Sequence, residues 1–170
     1  MFKSSLRKIY LSFAIGGALV YCIPVFEFIV RADYTSTWLL YIGNFVFMVV
    51  IIFFLFFVSH LKSNNSKTLP LMKQGEKAVF LGTFFACLFS FILLLILIPG
   101  IIGHGIAGRQ LTNRPANTTY DKTNGLAFMV MINSILGNIF TGSFVCALLP
   151  FSLKRNQKTD KVKREIRKIP

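Results

Sequence analysis

The distribution of charge constrains this chain more than any other feature. No Asp, Glu, Lys or Arg occurs between Lys8 and Glu27, between Asp33 and Lys62, between Lys77 and Arg109, or between Lys122 and Lys154. A crossing of the hydrocarbon core takes about 20 predominantly apolar residues at about 1.5 Å of helix rise each, or ~30 Å. All four intervals contain such a run. A soluble domain would spread its charges, at about 25% of residues; here they make up 15%, with a mean hydropathy of +0.64. The pattern excludes a soluble globular domain and a disordered basic tail protein. It also argues against a membrane β-barrel, because the apolar runs are continuous rather than alternating.

The expected fold is all-α: a polytopic membrane protein with four transmembrane helices in a bundle, spans at about 9–30, 38–59, 78–98 and 126–149. Residues 1–150 form the membrane domain and 151–170 a basic cytoplasmic tail. In the first span, Pro24 frees a backbone carbonyl and favours a kink. The run behind Lys3, Arg7 and Lys8 lacks a clean small-x-small cleavage site, and bulky Tyr21 precedes Cys22 where a lipoprotein signal has a small residue. An uncleaved first helix is therefore expected. Pro99-Gly100 is expected to end the third span and Pro150 the fourth.

The formal net charge of +13 follows mainly from threading. Three Lys/Arg lie in residues 1–8, four in 61–77 and eight in 151–170, against four on the opposite side: Arg31, Arg109, Arg114 and Lys122. Four spans put both termini on one side, and the excess of Lys and Arg makes that side the cytoplasm. This removes the usual inference from a basic chain to nucleic acid. No aromatic is interleaved with the tail charges for base stacking, and no nucleic-acid partner is expected. The tail residues Lys154, Arg155, Lys158, Lys161, Lys163, Arg164, Arg167 and Lys168 instead suit an anionic cytoplasmic leaflet. Val162, Ile166 and Ile169 recur there at helical spacing, and Lys161–Glu165 can pair at i,i+4.

The fourth span carries the most polar side chains. Asn133, Gly137 and Thr141 are four apart, as are Ser134, Asn138, Gly142 and Cys146. Together they form a small, polar helix face, suited to close packing or to a polar path. Asn44 in the second span is a candidate cross-helix mate for Asn133 or Asn138. Glu27 and Arg31 are spaced for an interfacial ion pair. With the spans at these limits, Glu27 is also the one acid within an apolar stretch.

Catalytic signals are missing. The cysteines Cys22, Cys87 and Cys146 occupy different spans and match no zinc or redox spacing. His60 and His104 fall at opposite membrane faces and cannot share one haem or metal. The Gly100–Gly108 segment resembles neither the P-loop nor the dinucleotide pattern and reads as an interfacial loop. Asn117-Thr118-Thr119 is a glycosylation acceptor on the outer side. No intramembrane histidine stands by to activate a serine. No cofactor or metal is expected. The expected function is a non-enzymatic accessory or structural subunit of a larger membrane assembly, partnered by membrane protein subunits or by further copies of itself. The alternative is a small oligomeric transporter or channel with a polar path along the fourth helix.

Overall fold

The computed structural model describes the backbone of residues 2–61, 68–98, 111–113 and 125–166, and the side chains of 8–60, 68–98, 111–113 and 125–153. The regular structure of the described residues is helical. The elements are α1 (Phe2–Arg31), a 3-10 turn (Tyr34–Ser36), α2 (Trp38–Leu61), α3 (Thr68–Leu97), α4 (Gly125–Ile132), one π turn (Asn133–Gly137) and α5 (Asn138–Ile166). Four helical segments are long and apolar enough to cross a membrane: Lys8–Arg31, Tyr34–His60, Thr68–Leu97 and Gly125–Leu153. The chain thus has the composition and helix lengths of a multi-pass membrane protein.

Each segment buries one stripe at the helical period. In α1 it runs through Ala14, Ala18, Tyr21, Val25, Phe28 and Ile29; in α2 through Leu40, Phe47, Ile51, Phe54, Leu55 and Val58. In α3 it runs through Leu71, Gly75, Ala78, Val79, Gly82, Thr83, Ala86, Ser90 and Leu94. The stripes meet in one core. α1 packs against α2 and α3, and α5 lies against α3 and α2. The opposite faces stay apolar and exposed, with Phe45, Phe53, Phe84, Phe140 and Phe144 among them. This is the pattern expected where lipid rather than water is the solvent.

Small residues set how close the backbones come. A Cβ at Gly142 would stand 2.7 Å from the Val79 methyls, and one at Gly82 2.8 Å from the Phe47 ring. At Gly75 it would run into Cys146 and Leu55. The pairs Gly75–Cys146 and Val79–Gly142 also fix α3 and α5 as antiparallel. Gly17 against Val50 and Gly43 against Tyr21 make α1 and α2 antiparallel, and Gly75 against Leu55 with Gly82 against Phe47 does the same for α3 and α2, so the N-termini of α1 and α3 share one end with the C-termini of α2 and α5.

Three helix limits differ from those read off the apolar runs. α1 begins at Phe2 rather than near residue 9, and α3 at Thr68 rather than 78. The backbone ladder continues where the side chains turn polar, and Pro70 lies in the first turn of α3, where its missing N–H costs nothing. α5 runs through Pro150 to Ile166 instead of stopping. A proline removes one ladder bond and crowds one carbonyl, four residues back at Cys146; the flanking turns can stay helical. α1 likewise continues unbroken through Pro24.

The fourth crossing is not one uniform helix. The row Leu126, Val130, Ser134, Asn138, Gly142 and Cys146 is buried throughout. On an ideal α-helix each four-residue step overshoots a turn by ~40°, so five steps would swing the row ~200° around the axis. The π turn holds one extra residue and takes back ~100° of that drift. It keeps both halves of the polar face pointed at the same neighbours.

Candidate functional site: a buried polar cluster at a π turn

The π turn delivers Asn133 and Ser134 to a point where all four crossings contribute a polar group. Asn44 of α2 donates from Nδ2 to Asn133 Oδ1 at 2.9 Å. Asn133 Nδ2 lies 3.2 Å from the Tyr21 hydroxyl, 3.2 Å from the Leu40 carbonyl and 3.4 Å from Asn44 Oδ1. The Tyr21 hydroxyl is 3.0 Å from Ser134 Oγ. Ser134 Oγ in turn lies 3.1 Å from Ser90 Oγ of α3 and 2.7 Å from the Val130 carbonyl. Tyr21, Ser90 and Ser134 are completely buried and Asn44 nearly so. Gly137 makes room for the arrangement, because a Cβ there would collide with the Asn44 amide.

Just beyond the turn, side chains service the backbone. Asn138 Nδ2 donates to the Ser134 carbonyl at 3.0 Å and Thr141 Oγ1 to the Gly137 carbonyl at 2.8 Å. Asn138 is fully buried and Thr83 of α3 nearly so, and among the described residues neither Asn138 Oδ1 nor Thr83 Oγ1 has a hydrogen-bond partner. A groove of about 290 Å³ reaches Asn133 and Gly137 from the side. It runs between the start of α2 and the α4 segment, lined by Thr37, Leu40, Tyr41, Phe128, Met129 and Ile132.

Further polar contacts lie outside the cluster. Glu27 accepts from Arg31 Nε at 2.7 Å, with both side chains close to half exposed. Toward the opposite end, Ser143 Oγ donates to Glu76 Oε2 at 2.9 Å, linking α5 to α3. Glu76 therefore belongs to a helix; the apolar runs alone place it in the connecting loop and so leave Glu27 as the one acid in an apolar stretch. At the α1–α2 corner, Ala32 takes a positive φ of 50° and Asp33 caps the 3-10 turn through Thr35 N at 2.9 Å. Residues 111–113 dock on this corner: Thr112 N donates to the Ala32 carbonyl at 2.9 Å and Asn113 Nδ2 to Asp33 Oδ2 at 3.2 Å. The backbone N–H of Thr35 holds the exposed Asp33 carboxyl below its ordinary value, with Asn113 and Arg31 adding to the effect.

Of the residues singled out in the fourth span, Asn133, Ser134 and Gly137 meet Asn44 in the cluster. Gly142 packs on Val79 of α3, while Asn138 and Thr141 bond back to the Ser134 and Gly137 carbonyls. Lys154, Arg155, Lys158, Lys161, Lys163 and Arg164 lie on the helical backbone of α5. Arg167 and Lys168 lie outside the described residues, as do His104, the Gly100–Gly108 segment and Asn117. Sequence reasoning missed Tyr21, Ser90, Thr83 and Glu76. Tyr21 carried a usable signal: it stands ten residues inside Arg31, ~15 Å along the helix. That is far from the interface where membrane tyrosines concentrate, and a buried phenol needs a partner.

The cluster is chemically neutral: amides, hydroxyls and carbonyls that satisfy one another. Among the described residues, no three His, Cys, Asp or Glu converge as a metal site would require. The arrangement can hold four helices in register, and a groove approaches it laterally at Asn133. Comparison with family models, with curated proteins and with solved structures yields no match.

Proposed function

We propose that this chain is a non-enzymatic accessory subunit of a larger membrane assembly, threaded four times with both termini in the cytoplasm. One observation carries the reading. The polar face of the fourth crossing, the obvious candidate for a reaction or a path, is occupied by Tyr21, Asn44 and Ser90 of the same chain. With its polar groups committed to internal packing, the molecule offers its surroundings an apolar perimeter and a strongly basic end. Orientation is supported by the Lys/Arg excess at the end that gathers the N-termini of α1 and α3 and the C-terminus of α5. The contacts of α1 with α2 and α3 and of α5 with α3 and α2 support the bundle.

A second reading, a small oligomeric transporter, draws on the unpartnered oxygens of Asn138 and Thr83. They lie on the seam between α3 and α5, between the cluster and the Ser143–Glu76 bond. A path through that seam would need water where these oxygens are.

Gentle extraction from the native membrane, followed by intact-complex mass measurement and identification of bound chains, tests the proposal. The accessory reading expects defined heteromeric species. A monomer without partners under those conditions would sink it.

A further inference from the structure

Two buried oxygens in the seam between α3 and α5 are left over when the internal bonds are assigned. Asn138 is 0% exposed and Thr83 5%, yet among the described residues neither Asn138 Oδ1 nor Thr83 Oγ1 has a hydrogen-bond partner. Buried polar atoms are seldom left so, because each gives up its hydration without return.

Both oxygens are turned off their own helices. The Ser134 carbonyl can only accept, so the arm of Asn138 that meets it at 3.0 Å is the amide NH2. Oδ1 is the other arm of the same planar group and is directed away from that carbonyl. The Ser134 and Thr141 hydroxyls bond the carbonyl four residues back on their own helix. The Thr83 hydroxyl does not, although a threonine inside a helix commonly makes that bond.

Register brings the two oxygens to one level. Direct contacts join α3 to α5 on either side of them. A Cβ on Gly142 would stand 2.7 Å from the Val79 methyls, and Ser90 Oγ lies 3.1 Å from Ser134 Oγ. Thr83 is one turn from Val79 toward Ser90, and Asn138 is one turn from Gly142 toward Ser134. Each step is ~6 Å along its helix, so the antiparallel axes carry both residues to the same height. A hydroxyl donor and an amide acceptor thus share one stretch of seam without bonding each other.

We propose that Thr83 Oγ1 and Asn138 Oδ1 hold a resident water molecule, sealed inside the α3–α5 seam. The water accepts from the Thr83 hydroxyl and donates to Asn138 Oδ1, as buried waters do for otherwise unsatisfied groups on separate elements. A metal cation would need several more oxygens and a compensating charge. The Ser134 and Thr141 hydroxyls already donate to carbonyls, and Glu76, the acid of this seam, is about two turns from Thr83 and bonds Ser143. The proposal does not rest on the accessory-subunit reading. It differs from the transport reading in the freedom of the water: the Val79–Gly142 contact closes the seam on one side and the Ser90–Ser134 bond on the other. A water held there joins two helices, whereas a path needs a continuous file.

The test uses the full-length protein, with isotopically labelled asparagine, in deuterated lipid nanodiscs. Magnetisation transfer from water to the Asn138 side-chain amide is measured, that resonance being identified by its loss in Asn138→Leu. The expected result is cross-relaxation of opposite sign in the laboratory and rotating frames, the mark of a long-lived bound water. Thr83→Val, which removes the hydroxyl at nearly constant shape, should abolish it. The same variant should lower the folded-to-unfolded ratio about fivefold in steric trapping, as for a lost buried hydrogen bond. Absence of transfer in the parent, or a Thr83→Val ratio equal to or above the parent's, would overturn the proposal in favour of dry, uncommitted oxygens. A shift of the Asn138 resonance when sodium replaces a bulky organic cation would overturn it in favour of an ion site. Rapid thiosulfonate labelling of Thr83→Cys in the folded protein would overturn it in favour of an open aqueous path. None of these outcomes depends on native partners, so this proposal and the accessory-subunit reading fail separately.

Discussion

Asn133 carries more of this molecule than its half-buried position suggests. Its side chain bonds a phenol of α1, a carbonyl and an amide of α2, and shares its turn with the hydroxyl that reaches α3. Interhelical hydrogen bonds in membrane proteins contribute about 0.6 kcal/mol each on average and up to about 1.7. Asn133→Ala is therefore expected to cost about 1–2 kcal/mol of unfolding free energy, measured by steric trapping in bicelles. A double-mutant cycle with Asn44→Ala should show positive coupling; strict additivity would mean the Asn44–Asn133 bond contributes nothing. The glycines offer a sharper contrast. A Cβ at Gly16 meets nothing within 4 Å, so Gly16→Ala should be neutral or stabilising by up to about 1 kcal/mol through helix propensity. Gly137→Ala collides with the Asn44 amide and Gly142→Ala with Val79, and overpacking of this kind costs about 1–3 kcal/mol. At the corner, Asp33 is a stronger acid in the folded chain than in the unfolded one. Its contribution is complete above the ordinary carboxylate value near 3.8 and is lost as the pH falls through the lowered folded value. The protection factor of the Thr35 amide, whose N–H bonds the carboxylate, should fall in that acid window and stay flat between neutral pH and 5. Asp33→Asn should remove the dependence.

At the level of elements, the charge-free intervals made the four crossings legible, because an ionised side chain is costly in hydrocarbon and the intervals match its thickness. The helix limits were less legible. Charge marks where the membrane should end, whereas the backbone ladder continues wherever nothing interrupts it, as at Phe2, Thr68 and beyond Pro150. The small and polar residues of the fourth crossing were visible as two rows four apart. The π turn was not, since it answers to partners on other helices rather than to any local signal. Tyr21 and Ser90 escaped for the same reason: their roles are set by what lies across the interface. The π turn makes a specific prediction. Deleting Leu136 removes the extra residue, so the turn should close into a plain α-helix with both halves in their present phase, whereas deleting Ile135 as well should rotate one half of the crossing against the other by ~100°. In the double deletion either the Asn44–Asn133 contact or the Val79–Gly142 contact must then be lost. Disulfide trapping across each pair, with cysteines at Asn44 and Asn133 or at Val79 and Gly142, should succeed for both pairs in the parent and in the single deletion, and for at most one in the double deletion.

For the whole molecule, the central claim is that polar chemistry inside the membrane serves cohesion. Tyr21, Asn44, Ser90, Asn133 and Ser134 satisfy one another, and the outward faces are left apolar for lipid or for neighbouring subunits. A transport path would require the same seam to open to water at the level of Ser134 and Asn138. The reactivity of Ser134→Cys and Ser90→Cys toward a small, charged, water-soluble thiosulfonate, in protein reconstituted in liposomes and read by intact mass, decides between these states. Ser→Cys is a small change in volume, and the buried native Cys22 and Cys146 serve as internal references. The account predicts that both introduced thiols stay unmodified from either side of the membrane until the protein is denatured. Rapid modification of either thiol in the folded, reconstituted protein would mean that water reaches the cluster, and would contradict it.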